Sequence, residues 1–408
     1  MQGKLHLRLL YTIAYLTDFC AMLLIFATTR ALAQADTSLL KMGAIGAVLS
    51  VTHAVSSFIS GVSSDRIGRR RVILAGMLIM IASLAGALVL KADTWGYYAA
   101  YWACAVATGM VFPTLIAWIN QGQPADPRSR HISRTIIRFC LAWNLGMIFG
   151  QYGGGWLFPW GRHWPIAVGL GLAVVNLCVV LLTGRHHTKP PAAIPTTEHQ
   201  SHFEEQPIAA AFKRMGWIAN LGGAFAVSTI LHLFPRLAVS LGVPSGQHGT
   251  ILALMRASIV ATYLLVHHSR FWQYKFYPAL IAQALAVGGL AVLSLARSVV
   301  ALGVGLFAIA ILVGYNYFAS LYYSSASGGD ERRGLASGVH EATFGVGIGA
   351  GSLGGGLVGT YAGERAPYVL AIGIITGLAV VQIVYFLRRV VPLRRALREN
   401  QKQQAPAV

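Results

Sequence analysis

One short polar stretch decides how this sequence is interpreted. It reads Gly61-Val62-Ser63-Ser64-Asp65-Arg66-Ile67-Gly68-Arg69-Arg70-Arg71, and apolar blocks flank it at 39–60 and 72–90. Gly61 carries no side chain, so two helices can approach each other closely at that point. Asp65 is a lone carboxylate among four arginines. A carboxylate in such a place is stabilised by a helix N-terminus or by an arginine, so the stretch indicates a structured charged turn between two membrane helices.

Apolar blocks of similar length recur along the whole chain. Of its 408 residues, 55% are hydrophobic and 11% are charged, whereas soluble domains carry about 25% charged residues. A run of about 20 apolar residues spans the hydrocarbon core of a bilayer, and its backbone groups must then be satisfied within a helix. We therefore predict an all-α membrane protein with twelve transmembrane helices in two pseudo-symmetric six-helix bundles. The predicted spans are 9–29, 39–60, 72–90, 95–119, 134–158, 164–183, 215–235, 247–268, 276–296, 299–323, 335–360 and 367–387.

The longest polar stretch divides the chain into two halves. It runs from Gly184 to Pro207 and contains four prolines, which is typical of a linker. The predicted domains are an N-terminal bundle at 1–183, a cytoplasmic linker at 184–207, a C-terminal bundle at 208–390 and a basic cytoplasmic tail at 391–408.

Lys and Arg are unequally distributed between the two sides of the predicted bundle. If the N-terminus is cytoplasmic, cytoplasmic segments hold about three for every one on the other side, which agrees with the positive-inside rule. We predict a multi-pass protein of the plasma or inner membrane with both termini in the cytoplasm. Ala31-Leu32-Ala33 resembles a signal-peptidase site, but the apolar run before it is long for a signal peptide and contains Asp18, so we expect a retained first helix.

Two glycine runs suggest an internal repeat. The fifth predicted helix carries Gly146, Gly150, Gly154 and Gly155, and the eleventh carries Gly347, Gly351, Gly355 and Gly356. The runs align without gaps at an offset of 201 residues and occupy the fifth position of each half. Glycine at this spacing lets helix backbones pack closely, although small-residue packing alone also explains either run by itself.

The turn at 61–71 resembles the signature loop of the major facilitator superfamily, Gly-x-x-x-Asp-Arg-x-Gly-Arg-Arg. The matching residues are Gly61, Asp65, Arg66, Gly68, Arg69 and Arg70. The resemblance implies a secondary transporter in which this loop is a conformational latch. Asp65 would then contact the eleventh helix, near Arg332, Arg333 and Gly334, and hold the cytoplasmic side shut in the outward-open state.

Some features depart from the family pattern. The glycine run of the fifth helix resembles the family's antiporter motif, but Gln151 stands where a proline is expected. The fourth helix lacks the arginine that proton-coupled members often carry. The second-half copy of the latch, expected near Ser269–Gln273, is also absent. These departures weaken the inferences of export and of proton coupling.

Polar residues inside the predicted helices are the candidate substrate or coupling residues, since an ionisable group in a membrane helix faces a cavity or a partner. They are Asp18, His53, Arg138, Asn144, His232, Arg256, Asn316, His340 and Glu341. Asp18 and Arg256 are expected to face a central cavity, or else to form a buried pair that orients helices. Arg138 and Glu341 are either a gate pair or charges satisfied at the membrane boundary. A lone membrane histidine such as His53 or His232 is more often a packing residue than a ligand.

These patterns favour secondary active transport by alternating access. We expect export of a small organic metabolite or drug-like solute, coupled to protons, with uptake of a small organic anion as the alternative. The partners are then the solute, protons and the lipid bilayer, and the transporter is expected to be a monomer. The basic clusters lie between apolar blocks without stacking aromatics, so nucleic acid is not an expected partner. No nucleotide-binding, catalytic or metal-binding motif occurs, so we expect neither an enzyme nor a cofactor or metal.

Overall fold

The described part of the chain forms a bundle of long helices. A computed structural model describes residues 2–119, 130–183, 207–326 and 330–404, and these ranges contain no β-strand. The long helices are α1 Gln2–Gln34, α2 Leu39–Ile67, α3 Arg69–Val89, α4 Trp95–Ile119, α5 Arg130–Leu157, α6 His163–Leu182, α7 Pro207–His232, α8 Ser245–His268, α9 Tyr277–Leu295, α10 Val299–Ala326, α11 Asp330–Ala362 and α12 Ala366–Tyr385. The predicted linker lies outside the described residues except for Pro207, which begins α7.

Length and composition identify most of these helices as membrane spans. Within the described residues, ten helices are long and apolar enough to cross a membrane, or eleven if α7 and the short helix that follows it form one span. The remaining long helix, α5, is 28 residues long and contains arginines, amides and many glycines. The described residues therefore contain twelve long helices in the predicted order.

The structure corrects the predicted end of the seventh helix and adds a helix within the predicted C-terminal tail. The sequence pattern extends the seventh helix to residue 235, but α7 ends at His232 and a second helix, Phe234–Ser240, follows at an angle of 42°. Pro235 has no N–H to donate, so it is tolerated in the first turn of a new helix and not inside α7. The predicted tail begins with a further helix, Val391–Gln404, which follows a π-helical turn at Phe386–Val390.

The two halves repeat one packing scheme. In the first half α1 packs on α4, α5 and α6, α4 packs on α2 and α3, and α3 packs on α6. In the second half α7 packs on α10, α11 and α12, α10 packs on α8 and α9, and α9 packs on α12. Across the boundary between the halves, α2 packs on α11 and α5 packs on α8. Each of these contacts in one half therefore has its counterpart in the other, which confirms two pseudo-symmetric six-helix bundles.

Candidate functional site

The glycine run of α5 packs directly on α1. A Cβ atom on Gly146 would collide with the Tyr15 carbonyl and would lie 3.1 Å from the Cβ of Asp18. A Cβ on Gly150 would lie 2.5 Å from the Cβ of Met22, and one on Gly154 would lie 2.9 Å from that of Phe26. Only glycine lets the two helices approach this closely, so the run fixes Asp18 against α5.

The glycine run of α11 packs on α7 in the same way. A Cβ on Gly347 would lie 2.6 Å from the Leu221 carbonyl oxygen and 2.6 Å from the Cβ of Ala224. Tyr15 and Leu221 are 206 positions apart, as are Asp18 and Ala224. Ala224 is therefore the counterpart of Asp18 in the second half.

Two further glycine crossings join the halves. A Cβ on Gly155 of α5 would lie 2.8 Å from the Cα of Gly249 in α8, and one on Gly356 of α11 would lie 3.0 Å from the Cα of Gly43 in α2. Both crossings lie at the end of the bundle that carries the α1–α2 turn, which we call the far side. We call the opposite end, which carries the α2–α3 turn, the linker side.

Polar and aromatic contacts reinforce the closed far side. The Arg30 guanidinium donates to the Val243 carbonyl across the boundary at 2.8 Å. The Leu40 amide donates to the Thr360 hydroxyl at 2.8 Å. His248, which is fully buried, packs its ring on Phe26 of the other half with centroids 4.9 Å apart. The two halves are thus in contact at their far side in this structure.

Asp18 and Arg256 lie at the same depth on either side of α5. Asp18 is at the level of Gly146. Arg256 follows Gly249 by seven residues, so it lies on the same face of α8, about 10 Å from the Gly155–Gly249 crossing towards the linker side. That places Arg256 near the level of Ile148 on the antiparallel α5, two residues from Gly146. Asp18 and Arg256 are only 4% and 7% exposed.

The two charges influence each other without forming an ion pair. Each lies in the electrostatic field of the other, but no nitrogen–oxygen distance of 4.0 Å or less joins them. Neither side chain has a hydrogen bond or salt bridge to any residue that the structure describes. Asn144 is fully buried on α5 at a similar level, where its amide donates to the Cys140 carbonyl at 2.8 Å and its Oδ1 atom has no partner among the described residues.

Arg138 lies on a different face of α5 from the glycine run. It is exposed, and it shares its face with the exposed side chains of Leu145, Phe149, Tyr152 and Trp156. These residues recur at helical spacing, so they form the outward surface of α5. No ion pair joins the described side chains of Arg138 and Glu341. This position favours the boundary-charge alternative for Arg138 over the gate pair.

Glu341 points away from the outward surface of α11. Its side chain is 59% exposed, yet it is rotated by about 120–160° from the exposed apolar residues Val346, Leu353 and Leu357. Its neighbour His340 is fully buried and bonds the Ser320 hydroxyl through Nδ1 at 2.8 Å. The Nε2 atom of His340 lies 3.9 Å from Glu341 Oε1. Glu341 therefore faces the space between the halves, and His340 is held within the second half.

The remaining candidates contact neighbouring helices. His53 bonds the Thr108 hydroxyl of α4 at 3.0 Å, and Asn316 donates to the Ala219 carbonyl of α7 at 2.8 Å. His232 bonds the Ser352 hydroxyl of α11 at 2.8 Å, and its ring lies where a Cβ on Gly46 of the other half would stand. The structure thus places Asp18 and Arg256 within electrostatic range of each other, with Asn144 on the helix that both flank, whereas His53, His232 and Asn316 contact other residues.

Comparison with known proteins identifies the family. The sequence profile described as Major Facilitator Superfamily matches residues 9–329. The chain belongs to the major facilitator superfamily. None of the curated proteins is similar enough in sequence to match.

Solved structures of transporters in this superfamily share the fold. A variant of the nucleoside transporter NupG superimposes with a TM-score of 0.71 and 14% identity, covering 93% of this chain and 100% of that one. A bacterial homologue of the human lysosomal transporter Spinster, in an inward-facing and occupied conformation, superimposes with a TM-score of 0.67 and 13% identity, covering 98% of each chain. The human organic anion transporter MFSD10 superimposes with a TM-score of 0.60 and 15% identity, covering 92% of this chain and 99% of that one. At such identities the likeness concerns the fold alone.

The described part of the superfamily's signature loop bonds to the ends of neighbouring helices. Gly68 adopts a φ of +94° between α2 and α3, which glycine tolerates and other residues rarely adopt. Arg69 donates to the Ala117 carbonyl at the end of α4 at 2.8 Å, and Arg70 donates to the Thr183 carbonyl after α6 at 2.9 Å. Gly61 has nothing within 4 Å of the position of a Cβ, and Arg66 is exposed.

The contact predicted for the latch involves side chains outside the described part of the chain. They are those of Asp65, Arg332 and Arg333, next to Gly334. The latch therefore stays a prediction for this superfamily member. The described arginines fasten the linker-side ends of α3, α4 and α6 to one another, because they supply donors to carbonyls left unpaired at helix C-termini.

Sequence reasoning missed several residues that join the halves. They are Arg30, Gly43, Arg236, His248 and Gly249. A second sequence offset of the internal repeat, 206 positions instead of 201, reveals four of them. Gly43 and Gly249, like Arg30 and Arg236, are 206 positions apart, whereas the glycine runs are 201 apart because the loops of the two halves differ in length.

Proposed function

We propose that this superfamily member is a proton-coupled secondary transporter that exports a small organic solute by alternating access. The carrying observation is Asp18, a nearly buried carboxylate without a hydrogen-bond or ion-pair partner among the described residues. A charged group in a membrane helix costs about 2.5–3.5 kcal/mol on insertion scales, so it is retained where it has a role. Asp18 also packs on Gly146, the first glycine of the run that resembles the antiporter motif.

The arrangement of the halves supports the transport cycle. The described contacts between them include the two glycine crossings at the far side, while Gly61 at the linker side stands clear of neighbours. With the basic linker side assigned to the cytoplasm, this conformation is open towards the cytoplasm. Rocking of the halves would expose Asp18 and Arg256 alternately to the two sides of the plasma or inner membrane. One chain carries both halves, so we propose a monomer with both termini in the cytoplasm.

Uptake of a small organic anion is the second candidate, and Arg256 favours it. Its guanidinium is 7% exposed, has no partner among the described residues and stands on the inner face of α8. Arginine binds carboxylates through two parallel hydrogen bonds, which suits an anionic solute.

Flux in proteoliposomes under an imposed pH gradient distinguishes the two candidates. Solutes that stabilise the purified protein are first selected, because a ligand that binds the folded state raises the unfolding temperature. For proton-coupled export we expect flux that follows the gradient and loses this dependence in Asp18→Asn, with Glu399→Gln on the exposed C-terminal helix as a control. Flux that is indifferent both to the gradient and to Asp18→Asn would remove proton coupling. Gradient-driven entry of anions that requires Arg256 would support uptake.

A further inference from the structure

We propose that Asp18 and Arg256 bind a small zwitterionic solute between them, with its cationic group on the Asp18 carboxylate and its anionic group on the Arg256 guanidinium. This inference rests on the proposed transport function and names the substrate class of the same site.

Both charges need a counter-charge that the described residues do not supply. Asp18 and Arg256 are 4% and 7% exposed, and neither makes a hydrogen bond or an ion pair within the described ranges. A buried charge without a partner is strongly destabilising, whereas a ligand of opposite charge recovers the lost hydration. A ligand with a single charge would neutralise one side chain and leave the other unpaired.

The two side chains lie at the same depth and within electrostatic range of each other, which is the arrangement that one small ligand with two charges requires. They come from opposite halves and lie at the same depth on either side of α5, as the Gly146 and Gly155 contacts establish. They are close enough to share an electrostatic interaction, yet they are not within 4.0 Å of each other. The Oδ1 atom of Asn144, also without a partner in the described part of the chain, offers an acceptor at this level.

Pseudo-symmetry argues against a packing role for the pair. The helix contacts around the site repeat between the halves, but the counterpart of Asp18 is Ala224 and that of Arg256 is Ser50. The same backbone packing is therefore achieved in each half without these charges. A pair that only oriented helices would also be expected to form a direct ion pair, and the described side chains of Asp18 and Arg256 form none.

Binding by matched sets of ligands tests the substrate class. Each set contains an amino acid, its N-acetyl derivative and its amide, which are a zwitterion, an anion and a cation of similar shape. We would measure the unfolding temperature of the purified full-length protein with such sets built on alanine, leucine and phenylalanine, and with glycine betaine. We expect at least one zwitterion to raise the unfolding temperature while its two single-charge derivatives, at the same concentration, do not.

Charge-removing variants should change this preference in opposite directions. Asp18→Asn should lose stabilisation by the zwitterion and gain stabilisation by the N-acetyl anion, whereas Arg256→Gln should gain stabilisation by the amide. Asp18→Glu keeps the charge and should keep the zwitterion preference, and Glu399→Gln controls for loss of a surface carboxylate. Elution as a single species in size-exclusion chromatography shows that a variant is folded.

Two results would overturn the inference. One is that the N-acetyl anion or the amide stabilises the native protein as well as the zwitterion does. The other is that none of the zwitterions stabilises it. Failure of the proposed transport function has a different signature, since it appears as solute flux that ignores the pH gradient whatever the charge of the solute.

Discussion

Arg30 and Arg236, which are 206 positions apart, hold the far side closed by reciprocal bonds. Arg30 of the first half donates to the Val243 carbonyl of the second at 2.8 Å. Arg236 of the second half donates to the Ala33 carbonyl of the first at 3.4 Å and forms an ion pair with Asp36. The two arginines thus occupy equivalent places in the repeat, and each bridges to the opposite half.

Removing these bridges is expected to open the far side. A hydrogen bond from a charged group contributes about 1.5–3 kcal/mol, so Arg30→Gln should shift the equilibrium between conformations by about tenfold or more. Arg236 is more exposed, so Arg236→Gln should have the smaller effect. Electron–electron resonance between spin labels at Ala35 and Tyr361 measures the far-side distance, after replacement of the exposed Cys178.

The matched control is Arg297→Gln, which removes an exposed far-side arginine. We expect longer distances in Arg30→Gln and an unchanged distribution in Arg297→Gln. Equal distance distributions in Arg30→Gln, Arg236→Gln and Arg297→Gln would show that the arginine bridges do not keep the far side closed.

The charged contact at the far-side end of α2 should make a small, pH-dependent contribution to stability. Lys41 Nζ lies 2.5 Å from Asp93 Oδ1, and Tyr98 also donates to this carboxylate. The bonds from Lys41 and then Tyr98 lower the pKa of Asp93 below its ordinary value. A carboxylate with a lowered pKa stabilises the fold above its unfolded pKa, and this stabilisation is lost as the pH falls through the folded pKa.

Asp93→Asn should therefore lower the unfolding temperature at neutral pH and have no effect in acid below the folded pKa. Both side chains are almost half exposed, so the solvent-screened effect should be at most about 1 kcal/mol. Thermal unfolding at a series of pH values measures it. A difference from the native protein that grows towards acid pH would contradict this assignment.

Most of the fold was predictable because each helix carries its own signal. The fourth span, 95–119, matches α4 at both ends, and the glycine runs occupy equivalent positions in α5 and α11. The break after His232 was missed because Pro235 sits within a continuous apolar run, and hydrophobicity does not distinguish a bend from a straight helix.

The candidate site was less predictable because the face of a helix depends on its neighbours. Arg138 and Glu341 lie at similar depths on equivalent helices, but the position equivalent to Glu341 is Cys140, and Arg138 lies on the outward face. The spacing of Leu145, Phe149 and Trp156 could have revealed that face. The Arg30 and Arg236 bridges could not be found from charge alone, since their acceptors are backbone carbonyls.

Gly68 should be required for its backbone conformation and not for space. Its φ of +94° disfavours any residue with a Cβ, although nothing lies within 4 Å of where that atom would stand. Gly68→Ala should destabilise the protein by about 1 kcal/mol or more. The control is Gly171→Ala in α6, which has equal space and a helical backbone, and which should be neutral or stabilising. Thermal unfolding of both variants measures the difference, and equal effects would refute the argument.

Bulky substitutions at Gly249 and Gly61 are expected to trap opposite conformations. A leucine at Gly249 would collide with the backbone of α5, since even a Cβ would lie 2.5 Å from the Gln151 carbonyl oxygen and 2.8 Å from the Gly155 Cα. The closed far side could not form, so the far-side distance should lengthen. Gly61 stands clear in this conformation, so Gly61→Leu should preserve it and instead obstruct closure of the linker side.

Spin labels at Ala35 and Tyr361 report the far side, and labels at Ile67 and His268 report the linker side. We expect Gly249→Leu to lengthen the first distance, and Gly61→Leu to leave the first short while the second stays long. Both variants should lose solute flux, because alternating access requires both closures. If the two variants changed the far-side and linker-side distances in the same way, Gly249 and Gly61 would not act in the closure of opposite sides of the bundle. Retained flux in Gly61→Leu would show that its lack of a side chain is not needed for the close helix approach on the linker side.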